Sequence, residues 1–109
     1  MRRVKTRERA AFKALASDVR RRILELLAER ERAVWELAAE VESSQSLTSI
    51  HLGGLRRAGL VEARVRARQR IYRLRREGIV AARGFLDHLD ATFAEPPAKP
   101  EPKLATTRV

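Results

Sequence analysis

The chain has 109 residues, of which 24 are basic and 14 acidic, for a formal charge of +10. That length gives one domain near the lower limit for a single apolar core, and small basic domains of this kind often gain stability by dimerising. There is no cysteine, which excludes disulfides, thiolate metal sites, iron–sulfur clusters and cysteine nucleophiles.

No run approaches the ~20 apolar residues needed to span a bilayer. The N-terminal MRRVKTRERAAFKAL is basic but lacks the apolar stretch of a secretory signal, so a cytoplasmic protein is expected. Residues 1–7 read as a basic arm. A first helix is predicted from Glu8 to Ala16, with Phe12 and Leu15 on one side. Ser17 is a good N-cap for a second helix, and Asp18 suits the positive end of its dipole. Val19, Ile23, Leu26 and Leu27 recur at helical spacing. A short third helix carries Val34, Leu37, Ala38 and Val41 as its apolar stripe. Trp35 stands beside that stripe, to pack on the second helix or the turn, or to roof a pocket for an organic effector. Ser43 or Ser44 caps a fourth helix that runs to about Ala58, where Gly59 supplies a left-handed stop.

After Gly59 the period changes from helical to alternating. Val61, Ala63 and Val65 share one face of a strand and Glu62, Arg64 and Arg66 the other; Arg70, Tyr72 and Leu74 share a face of the return strand. A last helix is predicted from about Glu77 to Phe93. Its Ile79, Ala82, Leu86, Leu89 and Phe93 repeat in steps of three and four, a narrow seam suited to a partner helix. The segment EPPAKPEPK opens a proline-rich tail over residues 95–109, expected to be extended and disordered. The predicted fold is thus mainly α with a small β-hairpin, in the order α-α-α-α-β-β-α. Its third and fourth helices make a helix-turn-helix and the hairpin a wing, with residues 8–94 as the folded domain.

Charge is concentrated on that wing and its helix. Residues 43–76 hold nine arginines against one acid, Glu62, a local +8, whereas residues 20–42 nearly balance five arginines with six glutamates. A polyanion is the obvious partner for such a surface. Placing the fourth helix at 100° per residue turns Thr48, Leu52 and Leu55 toward the core, with His51 at its edge. Ser46, Ser49, Ile50 and Gly53 face outward, with Gln45 in the first exposed turn. Gln45 can pair bidentately with adenine, Ser44, Ser46 and Ser49 can bond base edges or phosphates, unless Ser44 to Ser46 merely cap the helix, and Ile50 can meet a thymine methyl. Arg56 and Arg57 can hold flanking phosphates, and Arg64, Arg66, Arg68 and Arg70 of the wing can reach the backbone or a narrow minor groove.

In FKALASDVRRRILELL, WELAAEV, SSQSLTSIHLGGLRRAGLV, RQRIYRL and GFLDHL, roughly residues 10 to 92, the chain resembles the ArsR/SmtB winged helix-turn-helix repressors of bacteria. The RQRIYRL wing looks most like the subgroup of autorepressors without a metal site. The resemblance implies a homodimer through the first and last helices, with Phe12, Ile79, Ala82, Leu86, Leu89 and Phe93 in the interface, on a pseudo-palindromic DNA operator. Two departures stand out. Ser17-Asp18 replaces the family's usual Asp-Pro, and Ala67 replaces a common wing-tip glycine, at a cost of ~1 kcal/mol or more if its φ is positive. Many relatives release DNA on binding metal through cysteines of the third helix or carboxylates and histidines of the last. Here only Asp87, His88 and Asp90 approach the second set, so neither metal nor cofactor is expected.

No glycine-rich phosphate loop or G-x-S-x-G motif is present, so an enzyme is not expected. The leading expectation is a sequence-specific transcriptional repressor acting on duplex DNA, with a small-molecule or protein effector left open. Its rivals are a protein-interaction module on the same scaffold and a sequence-independent nucleic-acid-binding protein.

Overall fold

The computed structural model describes residues 6–94. The expected disordered tail over residues 95–109, and residues 1–5 of the expected arm, lie outside that range. In chain order the elements are α1 (Thr6–Leu15), α2 (Asp18–Glu29), β1 (Arg32–Ala33), α3 (Val34–Glu40), α4 (Gln45–Arg57), β2 (Val61–Arg66), β3 (Gln69–Leu74) and α5 (Arg76–Ala94). Every expected helix and both wing strands are present. Two corrections apply: Thr6 and Arg7, expected in the arm, already belong to α1, and β1 is an additional strand. The sheet is antiparallel in the order β1-β3-β2, with Arg32 opposite Tyr72 and Ala63 opposite Tyr72 on its other side.

Local chemistry sets the helix ends. Ser17 Oγ accepts the Arg20 amide at 3.2 Å, and Ser44 Oγ accepts the Leu47 amide at 3.0 Å, each satisfying a donor that the first helical turn leaves open. Ala33, at the N-cap of α3, has no side-chain acceptor. Glu36 instead reaches back to accept the Ala33 amide at 2.8 Å and Arg30 at 3.2 Å, and the Ala33 amide foremost holds its carboxyl below the usual range. α4 stops in a Schellman turn: Gly59 has φ +72°, its amide donates to the Arg56 carbonyl, and the Leu60 amide donates to the Leu55 carbonyl. The turn between α3 and α4 has the same form, with the Ser43 amide on the Ala38 carbonyl, but its left-handed position is Glu42 at φ +53°.

Ile23, Leu26 and Leu27 of α2, Leu37 of α3, Leu52 and Leu55 of α4, then Leu60, Val61 and Tyr72, form one core, with Ala14 and partly buried Val34 and Val41 at its edges. Truncating a residue such as Leu37, fully buried, to alanine costs ~2–5 kcal/mol by lost transfer energy and cavity formation. Arg32 is only 8% exposed; it ties the end of α2 to the sheet, its Nε–H donating to the Leu26 carbonyl and its Nη2 to Glu29 at 2.6 Å. Gly78 brings α5 directly onto the end of α4. Its amide donates to the Gly59 carbonyl at 2.7 Å, and a Cβ there would lie 2.5 Å from the Ala58 carbonyl oxygen. α1 packs along α5, where the rings of Phe12 and Phe85 meet edge to face at 5.6 Å.

Trp35 is 54% exposed on the surface of α3. Val65 shares a face with Val61 yet is 74% exposed, because the hairpin outruns the core that its base covers.

Candidate nucleic-acid interface

The 3.6-residue period of α4 divides it as expected. Thr48, Leu52 and Leu55 are fully buried, while Ser44, Gln45, Ser46, Ser49 and Ile50 are exposed and Gly53 is partly so. The outward face is therefore a capped helix of small and polar side chains around one large apolar group, Ile50, at 62% exposure. Leu47, at 46%, flanks it. Small side chains at 46, 49 and 53 let a helix of ~10 Å diameter sink into a groove ~12 Å wide. Thr48 carries the one buried side-chain polar atom without a hydrogen bond among the described residues, its Oγ1.

Arg56 and Arg57 are exposed at the end of α4 and have no acidic partner among the described residues. Arg57 folds back along the helix, since a methyl at Gly53 would sit 3.4 Å from its Nη1. Arg56 also meets the wing, lining with Arg64, Val65 and Arg70 a concavity of about 170 Å³.

The four expected wing arginines separate into two kinds. Arg64 is engaged: its Nη2 lies 2.6 Å from Glu31, which also sits 3.8 Å from Arg73, and Arg73 in turn donates to Glu62 at 2.6 Å. The wing base is thus charge-compensated by a glutamate from the α2–β1 connection, which no hairpin-local reading of the sequence includes. Arg66, Arg68 and Arg70 are exposed and have no acid within reach among the described residues. They cluster at the tip, where Ala67 and Arg68 both take left-handed backbone, φ +50° and +67°. Two such residues between paired Arg66 and Gln69 define a type I′ turn. The alanine departure therefore falls on a position that does need positive φ.

His51 lies at the edge of the core face, as its spacing implies. It accepts the Arg20 Nε–H on Nδ1 at 3.1 Å, and burial, then the Arg20 charge, push its pKa below the usual 6.5. Arg20, on α2, is absent from the sequence-derived set; only the packing of α2 on α4 brings the two together.

On α5, Leu86, Leu89 and Phe93 are 55%, 47% and 86% exposed and Ile79 36%, leaving the seam open. Ala82 is a correction: at 7% exposure it is already buried by its own chain and has little surface to offer a partner. Phe12 is half-buried against Phe85. Ile79, Ala82 and Leu86 join Leu15, Leu24, Leu60 and Leu74 around an apolar concavity of about 390 Å³. Among the described residues no three histidine, aspartate or glutamate side chains are grouped to hold a metal, and no helix is long and apolar enough to cross a membrane.

Residues 17–63 match the family described as bacterial regulatory protein, arsR family. An uncharacterized HTH-type transcriptional regulator of Mycobacterium tuberculosis is 52% identical over 62 residues, 56% of this chain and 54% of that one. A second HTH-type transcriptional regulator of that organism is 42% identical over 77 residues, covering 71% of this chain and 72% of its own. This chain spans about half the length of the first of these relatives. Among solved structures, the homodimeric winged helix-turn-helix DNA-binding domain of a Mycobacterium bovis protein superposes with a TM-score of 0.63 at 31% identity, over 87% of this chain and 88% of that domain.

Proposed function

This chain belongs to the arsR family of bacterial regulatory proteins, and from that footing we propose that it is a sequence-specific DNA-binding transcriptional repressor. Residues 8–94 act as its DNA-binding and dimerisation unit, in the cytoplasm, without catalysis or cofactor. Two copies join through α1 and α5, with Phe12, Ile79, Leu86, Leu89 and Phe93 at the contact. Each α4 enters a major groove, and the two grooves lie ~34 Å apart on one face of a pseudo-palindromic operator.

The observation that carries this reading is the α4 surface: an N-capped helix with an outward face of Gln45, Ser46, Ser49, Ile50 and Gly53, ending in Arg56 and Arg57, which have no acidic partner among the described residues. Gln45 and the serines read base edges. Arg56, Arg57, Arg66, Arg68 and Arg70 hold phosphates on either side, and Arg64 joins them once DNA competes with Glu31. Competition between a duplex from the protein's own promoter and random duplex tests the proposal, together with a promoter reporter. Preference of at least ~10³ for the promoter, with expression lowered, is expected. Equal affinity would leave a sequence-independent binder, and no affinity a protein-interaction module.

A further inference from the structure

Beside the groove face of α4 lies a second basic feature, of which the proposed reading uses only Arg57. Lys13 of α1, Arg20 of α2 and Arg57 of α4 line one concavity of about 260 Å³, floored by Ala10, Ala14, Gly54 and Ala58. None of the three cations has an acidic partner among the described residues. Arg20 spends only its Nε–H, on His51, so its two terminal nitrogens remain free to donate. The site has a built component as well. A Cβ at position 54 would lie 2.5–2.7 Å from the Arg20 guanidinium, so the absence of a side chain at Gly54 is what seats that group against α4. His51 accepts the Arg20 Nε–H on Nδ1 and so fixes the guanidinium from the other side without adding charge.

A pocket with three cations from three helices, a planar guanidinium with free donors, small residues on the floor and no acid suits a tetrahedral phosphate group. Gly54 stands one turn beyond Ile50 and next to Gly53, so the mouth of the pocket borders the groove face of α4. We propose that Lys13, Arg20 and Arg57 form a phosphate-binding site that takes a backbone phosphate of the bound duplex, at the edge of the groove that α4 occupies. This rests on the DNA-binding reading above and extends it to α1 and α2.

The test is the salt dependence of binding to one duplex by the full chain and three variants. Lys13→Gln should lower the slope of log K against log salt by roughly 0.9, the signature of one lost phosphate contact. Gly54→Ala should lower it similarly while leaving net charge unchanged, because the new methyl displaces the end of a flexible side chain and favours the helix. Arg22→Gln, which removes a charge outside the pocket, should leave the slope as it was. Steep wild-type binding with slopes unaltered in Lys13→Gln and Gly54→Ala would overturn the site and leave the DNA-binding reading standing. A wild-type protein that does not bind duplex would remove both. Inorganic pyrophosphate, titrated while the amide signals of Gly54 and His51 are followed, separates the sources. Saturation with unaltered duplex slopes in the variants would assign the pocket to a free anion and overturn its placement on DNA.

Discussion

Arg20 donates its Nε–H to Nδ1 of His51 at 3.1 Å, joining α2 to the buried edge of α4. An imidazolium could not accept that bond, so the contact requires neutral His51 with its proton on Nε2. Burial first and the Arg20 charge second hold the folded pKa below 6.5. Near that pH the unfolded chain binds more protons than the native one, so stability falls with acidification. The contribution is complete above pH 6.5 and is lost as pH drops through the folded value. Glu36, also lowered, acts only below 4.5, in a separate window. Denaturant midpoints should therefore decline below pH 6.5, and His51→Gln, which can still accept from Arg20, should flatten that limb. An unchanged limb in the variant would refute the assignment.

The wing tip carries strain that its sequence does not relieve. Ala67 and Arg68 both have left-handed backbone, where a Cβ costs roughly 1–2 kcal/mol per residue. Ala67→Gly should raise stability by about 0.5–1 kcal/mol, after the extra unfolded-state entropy of glycine is subtracted. It should leave duplex affinity and its salt slope as they are, since no charge moves. Glu42→Gly, in the helix-turn-helix turn at φ +53°, should act in the same direction. Equilibrium unfolding in urea measures both, and a lower midpoint in either would contradict this account.

Thr48 is fully buried with an Oγ1 that has no hydrogen bond among the described residues. An unsatisfied buried hydroxyl costs ~1–3 kcal/mol, and valine has nearly the same shape. Thr48→Val should stabilise the fold by about 1 kcal/mol without touching the outward face of α4. Destabilisation would show that the hydroxyl has a partner such as a bound water.

The open seam on α5 is the proposed dimer contact. Burying a leucine or phenylalanine side chain is worth ~1.5–3 kcal/mol, and Leu86, Leu89 and Phe93 together are enough to matter. Leu86→Glu should yield monomers in sedimentation at micromolar concentration and abolish promoter preference. A monomeric wild-type protein under those conditions would contradict the dimer.

Ile50 is the sharpest test of base reading. If it packs on a thymine methyl, Ile50→Ala should cost on the order of 1 kcal/mol on the operator and almost nothing on random DNA. Replacing that thymine by uracil should then erase the difference between the two proteins. Equal weakening on both DNAs would assign Ile50 no base.

The features legible in the sequence are those decided within a few residues. Ser17, Ser44 and Gly59 end helices because their side chains, or the lack of one, act on backbone groups three to five positions away. The two faces of α4 followed from the 3.6-residue period, and the wing strands from alternation, which also put Val61, Ala63 and Val65 on one side. Periodicity states which way a side chain points, but not what lies opposite it. Only the packed chain set Val65 in solvent, closed Ala82 against its own core and added β1, whose two residues have no identity as a strand until β3 pairs with them. The same limit applies to charge. Glu31 compensates Arg64 from 33 residues away and Arg20 reaches His51 from 31, because helices and sheet fold these segments onto one another. Local propensity fixed the elements and their faces, whereas which cations are spent on glutamates and which remain for a phosphate was set by contacts distant in the chain.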